Sequence, residues 1–317
     1  MSPGSSDHSS LLERQSLSAK RPTLWLRARL IQAIRHFFTE KKYLEVETPY
    51  LIPAPTPELH IDAVAGGAGF LHTSPELCMK RLLAAGYPKM FQICKCFRQG
   101  ERGGRHLPEF TLLEWYRAET DYLGLMDECE EMVGFVLEEL GLPPVLEFQG
   151  KTLDLQRPWL RFTVQEAFER YASTPLEQAM ESGRFDEILA FEIEPSLGFP
   201  KPVFLYHYPS ALAALARLSK DTPAFAERFE LYWAGLELAN AFSELTDPEE
   251  QRARFEIELA KRKQQGKTVY PMPEKFLRSL LFMPESAGIA LGVDRLVMLL
   301  SNQKEIDPVV SFTPEEL

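Results

Sequence analysis

Residues 97–117, FRQGERGGRHLPEFTLLEWYR, decide the fold because they join two apolar runs through a polar, glycine-containing segment. The run KMFQICKCFR alternates apolar and polar residues with the period of a β-strand, and EFTLLEWYRAE does the same. We therefore predict an antiparallel hairpin with a long polar connection. Arginines gathered over a sheet in this way suit phosphate, to which they make forked hydrogen bonds. The other interpretation is a surface loop whose charges only solvate a turn.

The composition is that of a globular protein that can bury a large core. The chain has 317 residues, of which 45% are hydrophobic, and its formal net charge of −11 argues against a general nucleic-acid-binding surface. Cys78, Cys94, Cys96 and Cys129 form neither paired CxxC units nor a dense disulfide framework, and the second and third are expected to be buried thiols on one side of a strand. The sequence lacks a secretory signal and an apolar stretch of about 20 residues, so we expect a cytoplasmic protein.

The remaining pattern predicts one large domain. Residues 1–23 are serine-rich and predict a flexible tail, so the folded domain is expected over residues 24–317. Helices are predicted over residues 24–38, over SPELCMKRLLAAG and over LMDECEEMVGFVLEEL, whose acidic residues should face solvent. Hairpin-type strands with helices between and after them predict the α+β class, with a mostly antiparallel sheet flanked by helices. The two common glycine-rich nucleotide loops, GxGxxG and GxxxxGK[ST], are absent from the sequence.

Carboxylates on otherwise apolar segments are the first candidate site residues. Glu114 and Tyr116 lie two positions apart on the second hairpin strand and therefore share a face. A buried carboxylate needs a partner, which is either an arginine or a bound ammonium group. Glu237 and Glu244 flank LANAFS and would suit Mg²⁺ with phosphate, or an amine, if a helix or bend brought them together. Otherwise they are two solvated acids.

The segment GIALGVDRL predicts a strand that leads into a helix. Gly288, Ala290 and Gly292 alternate along it and leave one face almost bare, so a flat ligand could approach the backbone. Arg295 follows at the turn, where it could stack on an aromatic base or pair with phosphate. The alternative is close packing of the helix on the sheet, with Asp294 paired to Arg295.

Taken together, these stretches resemble the catalytic domain of class II aminoacyl-tRNA synthetases. YLEVETPYLIP is similar to motif 1, FRQGERGGRHLPEFTLLEWYR to motif 2 and GIALGVDRLVMLL to motif 3. SPELCMKRLL, HLPEFTLLEWY and ELANAFSELTD are most similar to lysyl-tRNA synthetases. Fewer than thirty residues precede the motif 1 helix, which leaves no room for the anticodon-binding domain of those enzymes. The chain thereby resembles the elongation factor P lysine ligases, a family of bacterial synthetase paralogues.

This resemblance implies a class II catalytic domain that uses ATP and Mg²⁺. Members of the family activate (R)-β-lysine, or lysine, as an adenylate and transfer it to a lysine of elongation factor P. Motif 1 implies a homodimer. Neither a membrane nor a tRNA anticodon is an expected partner.

The resemblance also implies a role for particular residues. It assigns catalytic contacts to Arg98 and Arg295, and Mg²⁺ to Glu237 and Glu244. The implied amino-acid pocket comprises Ser74, Pro75, Glu76, Glu114, Tyr116, Asn240, Glu244 and Ala290. The implied ATP-binding residues are Arg98, Gln99, Gly100, Glu101, His106, Leu107, Glu237, Leu238, Gly292 and Arg295.

Three positions depart from the family pattern. Arg98-Gln99-Gly100 stands where the family usually has Arg-Asn-Glu, so the carboxylate that meets the adenine amino group is missing unless Glu101 replaces it through a loop shift. Leu107 stands where the ligases usually have asparagine. Ala290 replaces the glycine of lysyl-tRNA synthetases, and its extra methyl group implies a narrower pocket that prefers the β-amino isomer.

Two other functions remain open at this point. One is a synthetase-like ligase that uses tRNA or a free amine as acceptor, against which the acidic composition argues. The other is a non-catalytic regulatory paralogue that uses the fold as a binding module. Gly100 and Leu107 make this second alternative possible, whereas the presence of all four charged residues, Arg98, Glu237, Glu244 and Arg295, argues against it.

Overall fold

The structure is a computed structural model that describes residues 13–317. Its strands are β1 (Leu44–Glu45), β2 (Leu51–Ile52), β3 (Ala65–Gly66), β4 (Gly69–Leu71), β5 (Lys89–Phe97), β6 (Glu109–Ala118), β7 (Val145–Phe148), β8 (Lys151–Asp154), β9 (Leu160–Thr163), β10 (Val203–Pro209), β11 (Phe225–Trp233), β12 (Leu236–Ser243) and β13 (Ser286–Gly292). Its α-helices are α1 (Arg21–Glu40), α2 (Glu76–Ala84), α3 (Tyr122–Leu140), α4 (Val164–Tyr171), α5 (Leu176–Glu181), α6 (Phe185–Ile188), α7 (Pro248–Gln264), α8 (Glu274–Ser279) and α9 (Val293–Leu300).

An eight-stranded sheet forms the centre of the domain. Its strands lie in the order β1-β5-β6-β13-β12-β11-β10-β9. The parallel pairs are β1 with β5 and β10 with β9, at the two edges, and the inner pairs are antiparallel. The predicted class, α+β with a mostly antiparallel sheet flanked by helices, is confirmed. Over residues 13–317, no helix combines the length and apolarity needed to span a membrane.

The predicted hairpin is formed by β5 and β6. Their antiparallel register places Phe97 opposite Glu109 and Lys89 opposite Arg117. A second hairpin, β11–β12, was not predicted, because RFELYWAGLELANAFS has almost continuous hydrophobicity across its turn. Ala234 and Gly235 form that turn with φ values of 55° and 72°. Consecutive residues with positive φ match the right-handed twist of the paired strands.

One face of the large sheet packs on α1, α3 and α9 to form the main core. Residues at alternate positions of the central strands point into it, for example Leu113, Trp115, Ile289 and Leu291. Burial of these side chains fixes which face of each strand is internal. The alternate positions of the same strands therefore face the other side, where polar residues collect.

The prediction that the acidic residues of α3 face solvent is wrong for two of them. Glu128 and Glu130 have only 6% and 2% of their surface exposed. Glu128 accepts hydrogen bonds from Tyr43 Oη at 2.8 Å and Trp115 Nε1 at 3.1 Å. Glu130 accepts one from the backbone N–H of Trp159 at 3.0 Å. These donors come from distant parts of the chain, and they satisfy the buried carboxylates.

Helical structure begins before the predicted domain boundary at residue 24. Residues 1–12 of the predicted flexible tail, 1–23, lie outside the described residues. Residues 13–19 are helical and α1 begins at Arg21, with Pro22 in its first turn.

A buried polar clasp joins α1, β6 and α9. Asp294 Oδ1 lies 2.5 Å from Arg27 Nη1, and Asp294 Oδ2 accepts the backbone N–H of Thr111 at 2.7 Å. Arg27 Nη2 donates to Thr111 Oγ1 at 2.6 Å. Asp294 therefore pairs with Arg27. The alternative from the sequence, in which Asp294 pairs with Arg295, is wrong. Arg295 remains free to face the other side of the sheet.

We expect Asp294→Ala to lower the free energy of unfolding by about 3–5 kcal/mol, because it leaves the Arg27 guanidinium without its buried partner. Urea unfolding followed by tryptophan fluorescence measures the loss. The control is Glu187→Ala, which removes a fully exposed partner of Arg184 and should change stability little. Equal losses in the two variants would contradict the role assigned to the clasp.

Candidate active site

A cavity of about 910 Å³ opens on the polar face of the large sheet. This volume is typical of a small-molecule site. Sequence-predicted residues that line it are Arg98, Gly100, Glu101, His106, Leu107, Glu237, Leu238, Asn240, Ala290, Gly292 and Arg295. The structure therefore brings together residues from three separated motifs.

The register of five neighbouring strands builds the floor of the site. Gln92 lies opposite Glu114, which lies opposite Ala290. Ala290 in turn lies opposite Asn240, and Asn240 opposite Glu230. Directly opposed residues share a sheet face. A single row of polar and small side chains therefore crosses the sheet under the cavity.

A β-bulge explains how Glu237 joins this face. Leu231 lies opposite Ala239, but Tyr232 lies opposite Glu237, which leaves Leu238 as the extra residue of β12. A bulge shifts the alternation of side chains by one position. The sequence analysis required a helix or a bend between Glu237 and Glu244 if both were to share a face. The structure has such a bend, which is the bulge within β12.

Arg295 organises one end of the cavity. Its Nη1 donates to the carbonyl oxygen of Glu237 at 2.5 Å and lies 3.5 Å from that residue's carboxylate. Its Nη2 lies 2.7 Å from His106 Nε2. Burial, with the nearby positive charge of Arg295 as a second cause, lowers the pKa of His106. The imidazole is thus neutral at pH 7 and can accept from Arg295.

Arg98 also lines the cavity and is only partly engaged. Its guanidinium stacks 4.9 Å from the ring centroid of Phe110 and lies 3.8 Å from the Glu101 carboxylate. Its Nε is buried without a hydrogen-bond partner among residues 13–317. Gly100 has φ of +79°, and this left-handed turn precedes Glu101 in the cavity wall. Gln99 is exposed and lies outside the lining.

The other arginines of the hairpin connection, Arg102 and Arg105, also line the cavity, but protein groups already engage their guanidinium groups. Arg102 donates to Asp307 Oδ2 at 2.9 Å and to Glu315 at 2.9 Å. Arg105 Nη1 donates to the carbonyl oxygen of Gly235 at 3.2 Å. These contacts anchor the connection to the C-terminal segment and to the β11–β12 turn.

Three buried carboxylates lie beside the cavity, on α2, β6 and the segment after β12. They belong to Glu76, Glu114 and Glu244, and the last two have 1% of their surface exposed. Ser74 Oγ donates to Glu114 Oε1 at 2.5 Å, and Tyr116 Oη donates to Glu114 Oε2 at 2.9 Å. Of the predicted amino-acid pocket, Ser74, Glu114 and Tyr116 therefore belong to one hydrogen-bonded cluster, whereas Asn240 is hydrogen-bonded to Arg228 and Glu230.

Lys80 completes this cluster and was missed by the sequence analysis. Its Nζ lies 2.5 Å from Glu76 Oε1 and 2.5 Å from Glu244 Oε2, and 4.8 Å from the ring centroid of Phe242. Although burial alone would lower the pKa of Lys80, the carboxylates of Glu244 and Glu76 raise it, so the amine stays charged. The spacing of Glu76 and Lys80, four residues apart, was the available signal, but it is also typical of a solvated helix pair.

The cluster carries more negative than positive charge when all its groups ionise. Three carboxylates against one ammonium give −2. Burial, reinforced by the charge of Glu76, raises the pKa of Glu114 to about 8. Burial also raises the pKa of Glu244 to about 8, although Lys80 partly opposes the shift. Neither oxygen of Glu244 has a hydrogen bond of normal geometry within the described part of the chain. Added ammonium groups would satisfy these carboxylates.

The predicted bare face of β13 is covered by protein side chains at Gly288, whereas Ala290 and Gly292 line the cavity. A Cβ atom on Gly288 would lie 2.3 Å from Tyr116 Cε1 and 2.6 Å from Glu244 Oε1. A Cβ atom on Gly292 would lie 3.6 Å from Arg295 Cδ. Position 288 therefore requires glycine because the ring of Tyr116 packs against it, and not because a flat ligand does.

The paired metal assignment does not fit the surroundings of Glu244. Its side chain has no exposed surface and faces Lys80, whereas the Glu237 side chain is 38% exposed at the cavity. Glu194, which the sequence analysis missed, lies near Glu237. Burial, followed by the charges of Glu237 and Glu230, raises the pKa of Glu194 to about 7. Carboxylate oxygens that face solvent at the cavity fit Mg²⁺, and of the two predicted metal ligands Glu237 offers them and Glu244 does not.

Two of the predicted site residues, Pro75 and Leu107, contribute to the fold. Pro75 immediately precedes α2, and Ser74 Oγ accepts the backbone N–H of Glu76 at 3.0 Å in the manner of a cap. Leu107 is buried, packs against the main core and also lines the cavity.

Comparison with known proteins gives consistent matches. The family model for tRNA synthetases class II (D, K and N) matches residues 11–316. The elongation factor P–(R)-β-lysine ligase of Pectobacterium carotovorum is 40% identical, over 94% of this chain and 97% of that protein. The same-named ligase of Enterobacter sp. is 38% identical, over 93% and 96%. The lysine–tRNA ligase of Moorella thermoacetica is 38% identical over 90% of this chain but only 64% of its own length.

The raised pKa of Glu114 predicts a pH-dependent difference in stability. In the unfolded chain this carboxyl has its ordinary pKa of 4.5, but in the fold burial raises the pKa to about 8. The folded state is therefore favoured at low pH, and this contribution is lost as the pH rises from 4.5 to about 8. Relative to the unmodified chain, Glu114→Gln should gain about 2 kcal/mol of unfolding free energy between pH 6 and pH 8.

Urea unfolding at both pH values measures this gain. Glu187→Gln is the matched control, because Arg184 lowers the pKa of that exposed carboxyl and it is ionised throughout the range. A Glu114→Gln difference that does not change with pH would contradict the assignment.

Proposed function

The chain belongs to the class II tRNA synthetases of the D, K and N group, and from this premise we propose that it activates (R)-β-lysine, or lysine, with ATP and transfers it to a lysine of elongation factor P. The names of its near full-length relatives support the acceptor and the amino acid. The observation that carries the proposal is the buried cluster of Glu76, Glu114, Glu244 and Lys80, in which three carboxyl groups face one ammonium, so that Glu114 and Glu244 can each ionise against one ammonium group of a doubly positive substrate.

The first step forms an aminoacyl-adenylate. A carboxylate oxygen of the amino acid attacks the α-phosphorus of ATP, and the bond to pyrophosphate breaks with its electron pair on the leaving group. Arg98, whose Nε has no partner within the described chain, is proposed to hold the α-phosphate. Arg295, oriented by His106, is proposed to hold the triphosphate end. When bound with ATP at Glu237, Mg²⁺ neutralises charge that develops on the phosphates.

The amino-acid end fixes the two ammonium groups. Glu244 offers oxygens without normal hydrogen bonds inside the described region, so one ammonium can bind it without displacing a protein donor. Glu114, held by Ser74 and Tyr116, takes the second. Lys80 keeps Glu244 and Glu76 in place before the substrate arrives. Ala290, directly opposite both Glu114 and Asn240, limits the width of the pocket.

In the second step the acceptor replaces AMP. The deprotonated ε-amine of the acceptor lysine attacks the carbonyl carbon of the mixed anhydride, and the bond to the phosphate oxygen breaks to release AMP. The attacking nitrogen carries two protons and a positive charge after this step, and it loses one proton to solvent to give the neutral amide. No nucleophile of this chain is needed, because positioning and charge stabilisation suffice.

The adenine end departs most from the family pattern. We propose that Glu101 takes over the role of the missing acid, with Gln99 and Gly100 supplying the turn that precedes it and Leu107 an apolar contact. The positive φ of Gly100 and the place of Glu101 in the cavity wall support this substitution. Leu238 and Gly292 complete the nucleotide surface in the same proposal.

A homodimer is part of the proposal. Leu44, Tyr50 and Leu51, in the segment that resembles motif 1, are large apolar side chains with about half of their surface exposed. Large apolar side chains that are exposed close together in sequence support an interface at this segment. We also place the reaction in the cytoplasm, where cysteines such as the four free ones of this chain remain reduced.

The function is tested with the full chain, ATP, Mg²⁺ and each lysine isomer, first by pyrophosphate exchange and then with unmodified elongation factor P. We expect amino-acid-dependent exchange, and an acceptor mass that increases by one lysyl residue in intact-mass spectra. Exchange with transfer only to tRNA or a free amine would overturn the assigned acceptor. The absence of exchange with every isomer would indicate a non-catalytic paralogue.

Gly288→Ala should abolish amino-acid-dependent exchange, or raise the KM for the lysine isomers at least roughly 100-fold, because the new methyl group displaces Tyr116 and Glu244. The rise in Tm caused by ATP with Mg²⁺ should remain. Gly134→Ala on α3 is the matched control, since a Cβ there meets no atom within 4 Å in the described structure. Unaltered exchange in Gly288→Ala would contradict the position of the amino-acid pocket.

A further inference from the structure

A second group of side chains, behind the cavity wall, has no part in the proposed reaction. It consists of His72, Cys94 and Cys96, all buried. One donor atom from each lies within 4.8 Å of the other two. The sequence predicted the two cysteines as buried thiols on one strand face, but it gave no reason to join a histidine from another segment to them. The fold makes that connection.

We propose that His72, Cys94 and Cys96 bind one Zn²⁺ ion. The two Sγ atoms lie 4.0 Å apart. Two thiolates on the same Zn²⁺, each at about 2.3 Å, lie roughly 3.8 Å apart in tetrahedral geometry. The thiols are therefore spaced for a shared metal before any ion is bound, whereas a disulfide would need its sulfurs at about 2.05 Å.

The histidine is oriented as a metal ligand usually is. Its Nε2 lies 2.7 Å from the carbonyl oxygen of Lys95. Donation to this carbonyl fixes the ring and leaves the lone pair of Nδ1 available, an arrangement that most metal-binding histidines share. The backbone of His72 is also held, because its N–H donates to Tyr50 O at 2.8 Å and its carbonyl accepts from Phe97 N at 3.0 Å.

A fourth donor is available on the same strand face. Gln92 lies two positions before Cys94 and therefore points to the same side of β5. Its side chain is buried, and its Oε1 has no hydrogen-bond partner among residues 13–317. Two sulfurs, one nitrogen and one oxygen form a set that suits tetrahedral Zn²⁺. Three-coordinate Cu(I) would leave this oxygen unused.

The chemistry of the thiols agrees with the geometry. Both cysteines bind Zn²⁺ as thiolates, so binding of the metal releases their protons to solvent, and no oxidant or reductant takes part. Access is from the cavity, since the cluster packs against Phe110, Leu112 and Ala290, which form part of its wall.

The test uses the full chain, reduced and stripped with a chelator, and then titrated with Zn²⁺ alone. We expect about one Zn²⁺ per chain by elemental analysis and a higher Tm. Co²⁺ in place of Zn²⁺ should give the near-ultraviolet absorption of thiolate ligation. Cys94→Ser and Cys96→Ser should each weaken Zn²⁺ binding at least about tenfold, and His72→Gln should do the same.

Cys129→Ser is the matched control, because Cys129 is equally buried but lies on α3 in the main core. It should bind Zn²⁺ as the unmodified chain does. Equal loss in the control, binding that survives both cysteine substitutions, absence of the Co²⁺–thiolate band, or binding of Cu(I) without Zn²⁺ would each overturn the assignment. None of these measurements depends on the ligase reaction, so the two proposals fail or stand separately.

Discussion

A charge that is removed from water must be matched by an opposite charge or lose its ionisation, and this constraint shapes the site. Glu114 and Glu244 lie at positions where burial moves the pKa of each carboxyl to about 8. Lys80 supplies only one positive charge to the group. A ligand with two ammonium groups completes the balance, whereas a neutral side chain would leave a buried carboxylate unmatched. Selectivity thus comes from the cost of the wrong ligand as much as from contacts with the right one.

Such a cluster can exist on a sheet only if the sheet is held in register. The apolar residues of the opposite face, such as Trp115 and Ile289, fix that register by burial. Tyr116 then lies opposite Gly288, and its ring occupies the space that a Cβ atom would need there. The core and the polar face are therefore two consequences of the same strand alternation.

The sequence predicted those parts of the site that depend on local periodicity. Glu114 and Tyr116 share a face because any two alternate residues of a strand do. The direction of Glu237 was not predictable in this way, since the bulge at Leu238 exists only through the register with β11. Lys80 has the spacing of an ordinary helix ion pair, and its second partner, Glu244, comes from far along the chain. The periodicity of the sequence carries no information about which distant segments pair with each other.

The same reasoning separates the two ends of the cavity. The amino-acid end is buried and internally hydrogen-bonded, so a small change there leaves a buried charge without a partner. The nucleotide end is more open: Arg98 and Glu237 are partly exposed, and Arg102 ties the connecting loop to the surface. ATP brings its own charge, and its products must leave, so a hydrated wall suits that half. The departures at Gly100 and Leu107 fall in this half, where a turn of the loop can move Glu101 without disturbing a buried ion. We therefore expect the nucleotide end to tolerate substitutions that the acidic cluster would not tolerate. At the nucleotide end solvent can compensate a displaced charge, whereas solvent cannot reach the buried cluster.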